Sequence, residues 1–329
     1  MEEVQERAEN FTLVTRKSCF NLPTACPTCL PVYLYLKLAR VPFQLDFNSI
    51  FPDSDQIPYV ESGTFVAYNN ENGGVIDRLK EDGLVDLDTE IHSVPEWIST
   101  KAMITSWLAD ATAYELWVGS DGDSAYKIYF SDLPWPIGKV LFIKQKYSVK
   151  QRLGITKANA EQIEEEIYKR AKVAYGALSA RLGEQEFLFE NRPSSLDALF
   201  LGHVLFTLEA LPETSVLRSK LLEHDNIVRY AEKLKREFVE GGSLPSSLPQ
   251  LSGDPSSSTP RRGPSKWSSK PKNKPKREKT EEEKTFKRRA KYFLATQVVA
   301  VVLFLSIIGG HDSSEVELDD DDEGYYGTD

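Results

Sequence analysis

The sequence is poor in the residues on which most catalytic and metal chemistry draws. Its 329 residues include only three cysteines and four histidines. Cys19, Cys26 and Cys29 crowd into one segment and the rest of the chain has none, which excludes the disulfide framework of a small secreted domain. His92, His203, His224 and His311 are scattered, with no pair at i, i+4, so no metal centre is expected. His203, on an apolar stretch, reads as a satisfied core residue. No P-loop and no Gly-rich dinucleotide fingerprint occurs, and no cofactor is expected. Met1 to Asn10 is acidic and polar, without a secretory apolar region or an Arg-rich amphipathic segment, and is expected to be a flexible start without targeting information.

The net charge is -10, but its distribution says more than its sum. Between Arg261 and Lys291 basic residues exceed acidic ones by about ten, whereas the remainder is acidic, so nucleic-acid binding by the whole chain is not expected. An apolar fraction of 40% with 11% aromatics is that of a chain that mostly folds in water.

One long apolar run is present, from Tyr292 to Ile308. Tyr292, Phe293, Leu294, Val298, Val299, Val301, Val302, Leu303, Phe304, Leu305, Ile307 and Ile308 are interrupted only by alanines, Thr296, Gln297 and Ser306. Residues 292–310 reach the lower part of the span a bilayer core requires, and the run lacks the polar face of a globular helix. Lys284, Lys287, Arg288, Arg289 and Lys291 precede it, and the tail 311–329 is acidic without Lys or Arg. The charge asymmetry predicts a single-pass tail anchor with the bulk of the protein in the cytosol and the tail translocated. Two readings of the tail stand: a solvated end, or an acidic surface that captures basic targeting sequences.

Between anchor and fold, residues 241–283 are rich in Ser, Pro, Gly and Lys and are expected to form a disordered basic linker. Its cations suit either an anionic membrane surface or simple solvation. Upstream, residues 11–90 mix strand and helix signals. Phe11 to Thr15 is β-prone, Leu30 to Arg40 has helical spacing, and Phe43 to Phe47 alternates. Ile57 to Val60 and Thr64 to Tyr68 read as two strands and Gly74 to Leu79 as a closing helix. The order β-α-β-(α)-β-β-α fits a thioredoxin-like domain. Residues 94–240 read as all-helical, with Trp97, Ile104, Trp107, Leu108, Ala111 and Leu116 available for burial in the first helix. Between Lys157 and Leu182 the stripe Ile163, Ile167, Ala171, Ala174, Leu178, Leu182 repeats at three or four. Further helices are expected near Ser195 to Ala210 and Ile227 to Val239. The fold class is α+β.

Cys26-Pro27-Thr28-Cys29 precedes the first helix, and Pro58 stands where a thioredoxin-like fold places a cis-proline. A thiolate at a helix N-terminus is acidic and nucleophilic, so a thiol- or glutathione-dependent enzyme using Cys26 or Cys29 is one reading. Pro31 in the first turn and the long loop from Lys17 to Ala25 favour the other, a structural pair without catalysis. Glutathione transferases hold the γ-glutamyl end with an acidic residue followed by serine after the last strand. Here that place reads Tyr68-Asn69-Asn70-Glu71-Asn72, and no transferase activity is expected. The aromatic residues Tyr126, Tyr129, Phe130, Trp135, Phe142 and Tyr147 read as core, or, where exposed, as a docking surface.

Ser194 followed by Asp197 spells a helix capping box. With Phe187 to Glu190 before it and Ala198 to His203 after it, it reproduces the signature of the helical domain of glutathione-transferase-like folds. The string Phe187 to Val204, the approach Leu36, Ala39, Pro42, Phe43, the segments Gln56 to Tyr59 and Leu221 to Phe238, and the C-terminal run together resemble the metaxin family in its plant form. The resemblance implies a glutathione-transferase-like fold without transferase chemistry, in the mitochondrial outer membrane. It also implies a non-enzymatic role in protein import and in β-barrel sorting and assembly. The implied partners are a β-barrel insertase, import translocase components and precursor proteins. Anchor physics alone leaves the endoplasmic reticulum open, because no basic residues follow the run; the resemblance favours mitochondria.

Overall fold

The computed structural model describes residues 11–48, 54–71, 73–89, 94–189, 192–240 and 296–297. The expectations for residues 1–10, the linker 241–283, the basic residues Lys287 to Lys291, the apolar run apart from Thr296 and Gln297, and the acidic tail lie outside them, as do His92 and His311. Among the described residues no helix is long and apolar enough to cross a membrane.

The first layer is a four-stranded sheet of β1 (Phe11–Thr15), β2 (Phe43–Phe47), β3 (Tyr59–Ser62) and β4 (Phe65–Tyr68), in the order β2-β1-β3-β4. Strand β1 pairs parallel with β2 and antiparallel with β3. Its central position explains why four of its five residues are buried, since it is covered on both faces. A parallel pair needs a crossover, which α1 (Cys29–Leu38) supplies. Nine of the ten α1 residues are buried, so this helix lies between the sheet and other helices and shows no polar face. Strands β3 and β4 turn at Gly63, whose φ of +60° suits a residue without Cβ. The optional helix expected before β3 is not found at residues 54–58, which form a turn. Helix α2 (Gly74–Glu81) closes the layer and buries Val75, Ile76 and Leu79.

The helical part opens with a long rod: α3 (Pro95–Ala102), a π-helical stretch (Met103–Leu108), α4 (Ala109–Tyr114) and a second π-helical stretch (Glu115–Gly119). Thr105 and Thr112 donate to the carbonyls four residues back, each at 2.8 Å, a bond that competes locally with the helical ladder. Then follow α5 (Asp123–Tyr129), α6 (Trp135–Arg152), α7 (Ala160–Leu182), α8 (Ser195–Glu209), α9 (Val216–Leu222), α10 (Asp225–Leu234) and a π-helical end (Lys235–Glu240). Helix α8 is central, with twelve of fifteen residues buried. Its start carries the capping box: Ser194 Oγ accepts from the Asp197 N–H at 3.3 Å, and Asp197 Oδ2 accepts from the Ser194 N–H at 2.9 Å. Helix α8 packs directly on α1, and a Cβ built on Gly202 would sit 2.8 Å from the Pro31 ring. Helices α5, α6 and α9 carry no periodicity strong enough to be read from the sequence.

Candidate functional site

The chain leaves β1 through Arg16 and returns through Cys26 to α1. The N–H groups of Cys29 and Leu30 both donate to the Cys26 carbonyl, at 3.1 and 3.0 Å, so the two thiols share the first turn. Cys26 Sγ lies 3.1 Å from Thr28 Oγ1 and 3.5 Å from the Tyr129 hydroxyl. The Arg16 guanidinium stacks on the Tyr129 ring at 4.5 Å and donates from Nη2 to the Ser54 carbonyl at 3.0 Å. The Ile57–Pro58 peptide bond is cis, at the entry to β3.

Burial alone would push the Cys26 thiol up, but hydrogen bonding with Cys29, Thr28 and Tyr129 and the Arg16 charge outweigh it and hold it well below the ordinary thiol value. Burial, then the proximity of Cys26, pushes Cys29 well above that value. The two thiols are thus pushed in opposite directions, Cys26 toward its charged form and Cys29 toward its neutral one. The Cys26 charge in turn stabilises the Arg16 cation against its burial. Both thiols have 0% exposure, so no electrophile reaches this charge. Arg16 carried no sequence signal, and Tyr129, read from the sequence as one of an aromatic group of core or docking residues, carried none that linked it to the cysteines.

A cavity of about 430 Å³ opens between α1, α2, the long rod, α6 and α8. Its rim includes Thr28, Pro31, Asp77, Lys101, Tyr129 and His203, but neither Cys26 nor Cys29. Several of the polar groups around it are engaged by partners. Asp77 accepts from Lys101 at 2.8 Å and pairs with Lys80 at 2.7 Å; these two cations outweigh its burial and hold it below the ordinary carboxylate value. At the N-terminus of α2, where an anion would seek the free N–H groups, no side chain caps the helix, and the Asp77 carboxylate lies close by: a Cβ on Gly73 would meet Asp77 Oδ2 at 2.7 Å.

His203 is enclosed as well. Nε2 lies 2.7 Å from the Tyr175 hydroxyl and Nδ1 lies 3.0 Å from Thr112 Oγ1. Thr112 spends its proton on the Leu108 carbonyl, so Nδ1 carries the histidine proton and Nε2 accepts from Tyr175. Burial pushes this imidazole down to about 3, leaving it neutral with both nitrogens occupied.

The capping residues serve a larger junction. Asp197 accepts from the Leu188 N–H at 2.8 Å and from the Tyr230 hydroxyl at 2.9 Å, tying α8 to α10. Asp88, from the end of the sheet layer, accepts from the Ser195 N–H at 2.9 Å and from Lys80 at 3.1 Å, fastening the α8 N-terminus to the first domain. The aromatic residues divide. Tyr126, Tyr129, Phe130 and Phe142 pack together with Trp117, while Trp135 and Tyr147 are exposed. Among the described residues no three His, Cys, Asp or Glu side chains converge as a metal site.

Residues 27–122 match the family described as the glutathione S-transferase N-terminal domain, and residues 171–234 that described as the glutathione S-transferase C-terminal domain. The sequence is 62% identical over 321 residues to the "Mitochondrial outer membrane import complex protein METAXIN" of Arabidopsis thaliana, spanning 98% of this chain and 100% of that protein. It is 24% identical over 221 residues to Metaxin-2 of Homo sapiens, spanning 64% of this chain and 81% of the human protein. Among solved structures, a glutathione transferase from Phanerochaete chrysosporium superposes with a TM-score of 0.49 at 10% identity, over 69% of this chain and 96% of that one.

Proposed function

The chain belongs to the metaxin family, and on that premise we propose that it is a non-enzymatic subunit of the mitochondrial outer-membrane import machinery that also serves β-barrel sorting and assembly. The observation that carries this reading is the end-to-end identity with the Arabidopsis relative. An alignment that covers 98% of the chain necessarily includes residues 292–308, well beyond the glutathione-transferase-like part. The proposed topology is a tail anchor at Tyr292 to Ile308, with Lys287, Arg288, Arg289 and Lys291 on the cytosolic side and the acidic tail in the intermembrane space.

The geometry supports recognition without turnover. Cys26 and Cys29 are enclosed, His203 has both nitrogens occupied, and the Asp77 carboxylate beside the α2 N-terminus disfavours an anionic ligand there. A subunit that receives varied, unfolded precursors works through weak, quickly reversed contacts rather than a deep pocket, and membrane tethering raises its effective concentration beside an insertase. The alternative, a membrane-anchored thiol- or glutathione-dependent enzyme, would require the thiols to become exposed.

Depletion of the protein from mitochondria tests the proposal. Imported β-barrel precursors are expected to accumulate unassembled, and full-length protein carrying Cys26→Ser and Cys29→Ser is expected to restore assembly as far as it is folded. Normal assembly after depletion would refute the subunit reading. Failure of a folded double variant to rescue would favour the thiol enzyme.

A further inference from the structure

Ten large apolar side chains are exposed among the described residues, and half of them lie on α6: Trp135, Ile137, Val140, Ile143 and Tyr147. Trp135 is the most exposed at 73%, followed by Ile143 at 64% and Tyr147 at 63%. Pro136, Val140, Ile143 and Tyr147 recur at intervals of four, three and four, so they form one stripe along the helix. The opposite side fixes α6 in the fold. Val149 is buried, Phe142 packs against Trp117 and Phe130, and a Cβ on Gly138 would meet the Tyr126 hydroxyl at 2.9 Å.

The charge of this helix is opposite to that of the chain. It carries Lys139, Lys144, Lys146, Lys150 and Arg152 and no acidic residue, in a protein of net charge -10. Helical geometry places Lys139, Lys146 and Lys150 along one border of the stripe and Lys144 along the other. None of the four lysines is ion-paired among the described residues; Lys139 instead lies over the Tyr126 ring at 5.1 Å. An apolar stripe bordered by lysines, with Tyr147 in it and the exposed Trp135 beside its N-terminal end, is the composition of helices that lie in a bilayer interface.

We propose that this face of α6 docks on an anionic lipid surface, its apolar stripe entering the headgroup boundary and its lysines reaching lipid phosphates. Charge selects this occupant. A second copy packing α6 on α6 would set lysines against lysines, and a basic targeting peptide would meet the same repulsion. A lipid surface also needs no complementary shape, which suits a single convex helix face. The inference does not depend on the import reading, because lipid vesicles contain no import component.

The test uses the full chain reconstituted in phosphatidylcholine vesicles with brominated acyl chains, with and without phosphatidylinositol. The difference in tryptophan quenching between the unaltered protein and Trp135→Phe reports the depth of Trp135. Trp135-dependent quenching is expected with phosphatidylinositol and not in neutral vesicles. Each lysine replaced by glutamine is expected to weaken the association about fivefold, with far-UV circular dichroism unchanged. No Trp135-dependent quenching on anionic vesicles, or quenching indifferent to the lysines, would overturn the proposal. So would self-association that Ile143→Asp abolishes, which would assign the face to a second copy, or cross-linking of Trp135 to an acidic protein in place of lipid.

Discussion

Replacing Gly202 and Gly176 by alanine, one at a time, separates packing from helix propensity. Both lie inside helices, so each substitution gains about 0.8–1 kcal/mol of propensity. Around Gly176 no atom lies within 4 Å of the new Cβ, whereas at Gly202 it meets Pro31 Cγ at 2.8 Å and the Pro31 ring Cδ and N at 3.1 Å. Ordinary carbon contacts are about 3.5–4.0 Å, so α1 and α8 must part by several tenths of an ångström. The contacted atoms belong to a ring fixed to the backbone, and α1 is buried on nearly every side, so the strain has no flexible outlet. Overpacking of this kind costs about 1–3 kcal/mol. Gly176→Ala should therefore stabilise the protein by about 0.8–1 kcal/mol, and Gly202→Ala should change it by between about zero and 2 kcal/mol of destabilisation. The propensity gain is common to both, so their difference isolates the packing cost. Urea unfolding of the full chain in mild detergent, followed by near-UV circular dichroism, measures it. A Gly202→Ala protein as stable as Gly176→Ala would refute the close approach of α1 and α8 at Pro31.

A thiol reagent added to the native protein should modify Cys19, which is half-buried, and leave Cys26 and Cys29 untouched until denaturant is added; rapid reaction of more than one native thiol would contradict the enclosure. The folded pKa of His203, about 3, lies below its unfolded value near 6.5. The unfolded state therefore binds the extra proton, and this group withdraws stability as pH falls from about 6.5 toward 3, by up to about 1.4 kcal/mol per pH unit. His203→Gln should flatten urea stability against pH in that window, though its absolute stability falls with the lost hydrogen bonds. Asp88→Ala should cost about 1–3 kcal/mol, because it leaves the buried Ser195 N–H at the α8 N-terminus without its acceptor, while Lys80 keeps Asp77; a loss under about 1 kcal/mol in the same unfolding assay would show that the junction is not a tie between the layers.

What was legible in the sequence was local. Phe11 to Thr15 and Phe43 to Phe47 declare themselves because strand propensity and alternation act over a few residues, and Ser194 and Asp197 because a capping box closes within one turn. The stripe of α7 was readable for the same reason, and Ile167, Ala171, Ala174, Leu178 and Leu182 are buried. Helix α6 was not, because apolar residues stand on both its packed and its exposed sides and cancel the periodicity. The site was least legible. Tyr129 reaches Cys26 from 103 residues away and Asp88 reaches Ser195 from 107, separations at which no sequence interval carries information. The cysteines left two readings open, and only the placement of their side chains away from the cavity weighs between them.

The central claim, that this protein works as a subunit of an outer-membrane import and assembly machine, is tested most directly by native electrophoresis. Mitochondria containing the tagged full-length protein are extracted in mild detergent and the co-migrating proteins identified. Co-migration with a β-barrel insertase is the predicted result. Migration alone, or recovery from a different membrane, would contradict the account.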